Sequence, residues 1–218
     1  MKIQSLFISD LHLGSKNNNA IKALKVLRSY KYEKLFLLGD IVDIKAMSQN
    51  FKWESAENDV WEFIDKYSEK HPVIYCTGNH ERGFFGDVQR INNMEFFRGY
   101  EYKDMYLCHG DIFDHNLESN KWPRKLIDVA YNSLSEFNLK IVSQLKKAIR
   151  RSPHYLKNFR ENAIELAGKY GKKKIVCGHT HQQEHCIINN IDYYNLGDFK
   201  EDSSYMIETL EDELILKE

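Results

Sequence analysis

Residues 175–181 read IVCGHTH: Ile175, Val176 and Cys177 run into Gly178, and His179 and His181 follow with Thr180 between them. Three apolar residues ahead of a glycine read as a buried strand that ends abruptly. Two imidazoles one residue apart are a costly way to leave a core unless something binds them. Working outward, the same arrangement recurs four times. Ser5 to Ser9 runs into Asp10 and His12 in SDLHLGS, and Lys34 to Leu38 into Gly39, Asp40 and Asp43 in LLGDIVD. Val73 to Thr77 runs into Gly78, Asn79, His80 and Glu81 in TGNHE, and Met105 to Cys108 into His109, Gly110 and Asp111 in HGD.

Helical patterns separate the early strands. Ala20, Ala23, Leu24 and Leu27 make one apolar face, and Val60, Phe63, Ile64 and Tyr67 make another. Strand, helix, strand, helix, strand is α/β organisation, in which strand ends converge on one edge where ligands bind. After Lys174 the chain becomes strand-rich, with a hairpin expected at Asn189-Asn190 and a last pair of strands around Tyr205 to Leu210 and Glu213 to Leu216.

At 218 residues, with 42% apolar and 29% charged side chains, the chain suits one globular domain over 1–218 and excludes a disordered or membrane-spanning class. The N-terminus enters a strand pattern at once and shows no signal region, so a cytoplasmic protein is expected. Cys76, Cys108, Cys177 and Cys186 are widely spaced, which fits reduced structural thiols and not a zinc ribbon or a redox pair.

One segment breaks the α/β rhythm. Leu126, Ala130, Leu134, Phe137, Ile141, Leu145 and Ile149 form a single helical stripe, and Leu156, Phe159, Ala163, Leu166 and Tyr170 form a second. Together they predict a helical insertion, a cap or lid, over 116–171. The charge is uneven there. Between Asn116 and Lys174 stand 14 Lys and Arg against 5 Asp and Glu, although the whole chain carries a net charge of −1. That asymmetry points to an anionic ligand or surface near the insertion, or to a solvated helix face.

The five polar clusters gather carboxylates, an amide and imidazoles that would repel or remain unsolvated without a partner. Divalent cations resolve the conflict, since imidazole nitrogen and carboxylate or amide oxygen together suit manganese, iron, zinc and cobalt. If strand alternation continues through the D-x-H and H-x-H pairs, each pair chelates from one face. Asp43 and Asp111 read as outer residues that orient ligands or cap turns. No G-x-S-x-G elbow, phosphate-binding G-x-x-x-x-G-K loop, G-x-G-x-x-G fingerprint or H-E-x-x-H pair is present.

In order, D-x-H, GD, GNH, HGD and GH-x-H resemble the blocks of the calcineurin-like metallophosphoesterases. The resemblance implies a four-layer α/β/β/α sandwich with two divalent metal ions, manganese foremost. By this likeness Asp10, His12 and His181 would hold one metal, Asn79, His109 and His179 the other, and Asp40 would bridge them. His80 would face the scissile phosphate and, as imidazolium, stabilise the transition state or protonate the leaving oxygen, while a hydroxide shared by both metals attacks phosphorus in line.

Within that superfamily ISDLHLGS, LLGDIVDI and HGDIFD resemble the branch of UDP-2,3-diacylglucosamine diphosphatases, which also carries a helical insertion between its HGD and GH-x-H blocks. The implied substrate is that lipid nucleotide or a related nucleotide-linked lipid or sugar. The implied partners are a phosphorylated small molecule and, through the basic face of the insertion (Lys146, Lys147, Arg150, Arg151), a bilayer surface. His80 is a departure, because the resemblance implies an arginine directly after the ligand asparagine; here the arginine is Arg82, expected to reach a substrate phosphate. The alternative is a general phosphomonoesterase or phosphodiesterase acting on phosphoproteins, cyclic nucleotides or nucleic acid, the last disfavoured by the near-neutral charge. A non-catalytic scaffold on the same fold is the least favoured reading, since His80 and all seven ligand positions are intact.

Overall fold

The computed structural model describes residues 1–15, 18–44, 53–81, 90–117, 151–199 and 203–218. The central strand runs are almost wholly apolar because both of their faces are covered. Strands β1 (Ser5–Ile8), β2 (Lys34–Leu38) and β3 (Val73–Cys76) pair in parallel, and β3 pairs in parallel with β5 (Met94–Phe97). The short β4 (Arg90–Ile91) and the C-terminal β11 (Tyr205–Glu208) and β12 (Leu214–Lys217) complete a sheet ordered β12-β11-β1-β2-β3-β5-β4. A second sheet is built from β6 (Gly99–Tyr102), β7 (Met105–Cys108), β8 (Lys174–Cys177), β9 (Gln183–Ile188) and β10 (Ile191–Leu196), in the order β6-β7-β8-β10-β9. In it, β7, β8 and β10 run parallel.

Among the described residues three helices cover the outer faces. Helix α1 (Ala20–Ser29) starts where the Asn19 side chain accepts from the Lys22 N–H, and it buries Ala20, Ala23, Val26 and Leu27. Helix α2 (Ser55–Ser68) opens on a capping box between Glu54 and Glu57. Both pack on the outer face of the larger sheet, over Leu6, Ile8, Leu35, Leu37, Val73 and Tyr75. Helix α3 (Pro153–Lys169) is capped by Ser152 with Pro153 in its first turn, and it lays Tyr155, Phe159, Ala163 and Ile164 on Tyr106, Ile175 and Tyr193 of the smaller sheet. Between the sheets, Phe7, Phe36, Leu38 and Cys76 from one meet Leu107, Val176, Tyr194 and Leu196 from the other. The layers are therefore α/β/β/α, as the family resemblance implied.

Among the described residues seven parallel strands from two sheets thus release their carboxyl ends at one edge, and the polar clusters follow β1, β2, β3, β7 and β8 there. Helix α3 falls within the span 116–171 expected for the insertion. Residues 118–150, with the apolar stripe and Lys146, Lys147 and Arg150, lie outside the described residues, as does Arg82. Among the described residues no helix is long and apolar enough to cross a membrane.

Candidate metal centre

The strands end one to three residues before the first polar ligand of each block, and the backbone turns left-handed at five of the polar residues themselves. Asp10 (φ 53°), His12 (49°), Asp40 (50°), His179 (71°) and His181 (59°) all take positive φ. Asp and His tolerate this region better than most residues, at a cost of about 1–3 kcal/mol each. The expected strand alternation therefore does not extend through D-x-H and H-x-H. Each pair converges because the chain curls at both members and not at the residue between.

Tight loop contact follows. At Gly39 (φ 81°) an added Cβ would lie 2.5 Å from the His109 ring, so only glycine lets strand β2 end against that imidazole. Gly78 similarly lies against Asp40, and Gly178 against Asp10.

The side chains meet around one point. Asp40 Oδ2 lies 3.3 Å from His109 Nε2, 3.9 Å from His12 Nε2 and 3.9 Å from His80 Nε2. Its other oxygen accepts the His80 backbone N–H at 2.8 Å. Asp10 Oδ1 faces His181 Nε2 at 3.3 Å and His12 Nε2 at 3.7 Å, while Asp10 Oδ2 accepts the His179 N–H at 3.0 Å. Asp10, His12 and His181 form one compact donor group, and Asp40, His109 and His179 form another. All seven proposed ligands and His80 are thus brought to the same edge. Arg82 is outside the described residues.

Three of the imidazoles are held from behind by hydrogen bonds. His109 Nδ1 meets the Leu38 carbonyl at 2.9 Å, His181 Nδ1 meets Asp198 Oδ2 at 2.6 Å, and His179 Nε2 meets Asp114 Oδ2 at 2.7 Å. Asp43 stands between two rings, with Oδ1 2.9 Å from His80 Nδ1 and Oδ2 3.6 Å from His12 Nδ1. In His109, His179 and His181 the other nitrogen is left for the centre, which is how outer partners orient metal-binding histidines. Asp111 opens the 3-10 turn Asp111–Leu117 and lies 3.8 Å from Arg98 Nη2.

Asp198, Asp114 and Asn195 are residues that sequence reasoning missed, and Glu81, named in the third cluster, was given no role there. Asn195 Nδ2 donates to the Gly178 carbonyl at 2.8 Å and steadies the GH-x-H turn. Glu81, buried beneath the site, accepts the N–H groups of Asp40 (3.2 Å), Ile41 (2.6 Å), Val42 (2.9 Å) and Gly78 (2.8 Å) and the Tyr75 hydroxyl. One carboxylate thereby ties the GD loop to the GNH loop.

The donors fit divalent cations. Among the described residues, Asp10 Oδ1, His12 Nε2 and Asn79 Oδ1 are buried polar atoms without a hydrogen-bond partner, an expensive state unless a cation takes them up. Two carboxylates, an amide oxygen and four imidazoles make a mixed N/O set suited to borderline divalent metals.

Electrostatics supports the same fit. Burial alone would lower the His12 pKa, but the carboxylates of Asp10, Asp43 and Asp40 outweigh it and raise it to about 9. Burial likewise opposes protonation of His109, and Asp40 and Asp10 raise it to about 9. Burial pushes the Asp10 and Asp40 carboxyls up, yet His109 and the neighbouring imidazoles hold both well below the usual range.

Stripped of metal, the protein therefore keeps protonated imidazoles as counter-ions. A raised folded pKa stabilises fully below the unfolded value near 6.5 and is lost as pH climbs through about 9. In a chelator the Tm should fall by roughly 5 °C or more between pH 6.5 and 9. With manganese in excess it should hold or rise over the same interval, because protons then compete less for the nitrogens. Melting curves in both buffers test this, and a flat chelator series would contradict it.

The calcineurin-like phosphoesterase sequence model matches residues 3–183. The chain belongs to that family. No curated protein matches it in sequence. Among solved structures, the phosphoesterase chain is similar to a dimetal phosphatase from Danio rerio, at TM-score 0.53 and 14% identity, with 98% of this chain and 94% of that one covered. It is also similar to an archaeal phosphodiesterase (TM-score 0.47, 15% identity, 98% of each chain) and to Vps29 from Chaetomium thermophilum (TM-score 0.46, 12% identity, 98% and 95%). At such identities the first likeness speaks for the fold of this phosphoesterase and no further.

Proposed function

We propose that this phosphoesterase hydrolyses phosphoester or pyrophosphate bonds with two divalent cations, manganese foremost. The observation that carries the reading is the pair of compact donor groups, Asp10 with His12 and His181 and Asp40 with His109 and His179, beside which Asp10 Oδ1, His12 Nε2 and Asn79 Oδ1 are buried without a hydrogen-bond partner. Asp10, His12 and His181 would hold one cation, Asn79, His109 and His179 the other, and Asp40 both. Iron, zinc or cobalt satisfy the same donors. When bound there, such a pair supplies Lewis acidity toward the phosphoryl oxygens and the attacking water.

The chain's own residues supply proton management. The Asp43 carboxylate lies 2.9 Å from His80 Nδ1 and offers it a counter-charge, while His80 Nε2 lies 3.9 Å from Asp40 Oδ2 at the centre. The His80 side chain is 27% exposed, so it can reach a substrate while its backbone stays locked to Asp40. From there Nε2–H donates to the oxygen that departs, a role commonly worth 10²–10⁴-fold, here about 10²-fold.

For the substrate we infer a pyrophosphate in a nucleotide-linked lipid or sugar, with UDP-2,3-diacylglucosamine the leading candidate. The motifs ISDLHLGS, LLGDIVDI and HGDIFD and the helical run between HGD and GH-x-H support it. Arg82 contacting a substrate phosphate, and Lys146, Lys147, Arg150 and Arg151 facing anionic headgroups of a cytoplasmic membrane surface, belong to the same reading. The His80–Asp43 pair favours a second reading, a phosphomonoester or phosphodiester. An alkoxide leaving group is strongly basic and needs a proton, whereas a phosphate leaving group needs one far less.

Manganese-loaded protein should be offered UDP-2,3-diacylglucosamine, bis(p-nitrophenyl) phosphate and p-nitrophenyl phosphate, with Asp40→Asn protein as the blank. Release of UMP faster than either nitrophenol release is expected. Turnover of the nitrophenyl esters alone would move the assignment to the second reading, and no metal-dependent turnover at all would overturn both.

A further inference from the structure

His179 and His181 lie one residue apart, yet they are anchored to different parts of the molecule. His181 leans on Asp198, just beyond strand β10 of the sheet core. His179 leans on Asp114 at 2.7 Å, and the other oxygen of Asp114 accepts the Tyr155 hydroxyl at 2.6 Å. Tyr155 is 4% exposed and sits in the first turn of α3. One turn later Phe159, fully buried, lays its ring nearly parallel to the His179 imidazole, with centroids 6.1 Å apart and planes 13° apart. Phe159 is itself braced edge-on by Phe113 at 5.1 Å. Both the edge and the face of the His179 ring are thus set by contacts that lead to one helix.

We propose that Tyr155 and Asp114 are positioning residues that tie helix α3 to His179. The seating of that helix then sets the affinity of the cation position shared by Asn79, His109 and His179, separately from the position of Asp10, His12 and His181. The inference rests on the dimetal reading above. Asp114 keeps the ring proton on Nε2 and so leaves the Nδ1 lone pair inward, where it lies 3.2 Å from His109 Nε2. The Tyr155 hydroxyl stops the carboxylate from rotating away. An amide at position 114 can offer an N–H to Nε2, which would drive the proton to Nδ1 and blunt the ligand. Through this relay a shift of α3 is felt at one cation position and not at the other.

Manganese titration of chelator-stripped protein by calorimetry tests this, together with melting curves in chelator. The wild-type chain should bind two ions. Asp114→Asn should weaken one of the two by about 10–100-fold. Tyr155→Phe, which keeps the ring packing, should weaken the same one by about 5-fold, as expected for one lost hydrogen bond. Asp198→Asn should weaken the other. If Asp114→Asn and Tyr155→Phe leave both affinities within about twofold, or lower both equally along with the Tm, the relay is structural only and the inference fails while the dimetal reading stands. A wild-type chain that binds no manganese would overturn that reading and this one with it.

Discussion

Asp40→Asn is expected to lower manganese-dependent hydrolysis of p-nitrophenyl phosphate by roughly 10³-fold, and to reduce manganese uptake from two ions to one or none. The reason lies in what each oxygen of Asp40 does. Oδ1 accepts the His80 N–H at 2.8 Å, and an amide oxygen can continue to do so, so the GNH loop should keep its place. Oδ2 faces His109, His12 and His80 at 3.3 to 3.9 Å, and an amide NH₂ there presents hydrogens where lone pairs are needed. The substitution therefore removes the shared ligand with little change in shape. It also removes the counter-charge that Asp40 gives His12 and His109, so the metal-free variant should titrate those rings nearer their ordinary value. Activity within tenfold of wild type, with two manganese ions still bound, would refute the bridging role.

The second large effect concerns stability. Glu81→Ala should lower the Tm by roughly 6–12 °C, equivalent to about 3 kcal/mol at 2–4 °C per kcal/mol for a chain of this size. Glu81 is 1% exposed and answers four backbone N–H groups and one phenol. Removing it leaves those donors facing a cavity, each orphan costing about 1–3 kcal/mol before water enters. Burial and the Asp40 carboxylate raise the Glu81 pKa, against hydrogen bonds from Tyr75 and the backbone. Glu81→Gln retains both shape and an acceptor oxygen, and so should lose less than the alanine variant. Equal losses for Gln and Ala would mean that the carboxylate's second oxygen, and not the filling of the cavity, is what matters. A Tm unchanged within about 2 °C for Glu81→Ala would remove the clamp from the account.

Much of the centre was legible because a polar cluster, with a strand-ending glycine in three of the five blocks, marks where each block leaves the core. Asp10, His12, Asp40, Asn79, His109, His179 and His181 all stand directly after apolar runs, and α/β topology brings such ends together. Asp198 escaped although Leu196-Gly197-Asp198 repeats Leu38-Gly39-Asp40. Its strand, IDYYNL, carries enough polar residues to read as a surface hairpin, whereas β10 in fact runs parallel to β8 inside the sheet. Asp114 and Glu81 were opaque for another reason. Their partners are a histidine 65 residues away and a loop 39–41 residues away, pairings that no local pattern encodes. Strands β4 to β6 are short and mostly half-exposed, so neither period-2 alternation nor an apolar run announced them. Chelation geometry came from left-handed backbone where the sequence had suggested continued pleating.

That backbone restricts the alphabet available to the site. Positions 10, 12, 40, 179 and 181 must be filled by residues that accept φ near 50–70° and also offer a lone pair. Asp, Asn and His meet both demands, while branched residues such as Val or Thr fail the first before the second arises. Alanine scanning here would mix conformational strain with ligand loss and overstate the chemistry of every position. Exchanges among Asp, Asn and His hold the conformation nearly constant, so they separate the two contributions. They also trace the narrow mutational route by which such a centre can change the metal it prefers without losing its loops.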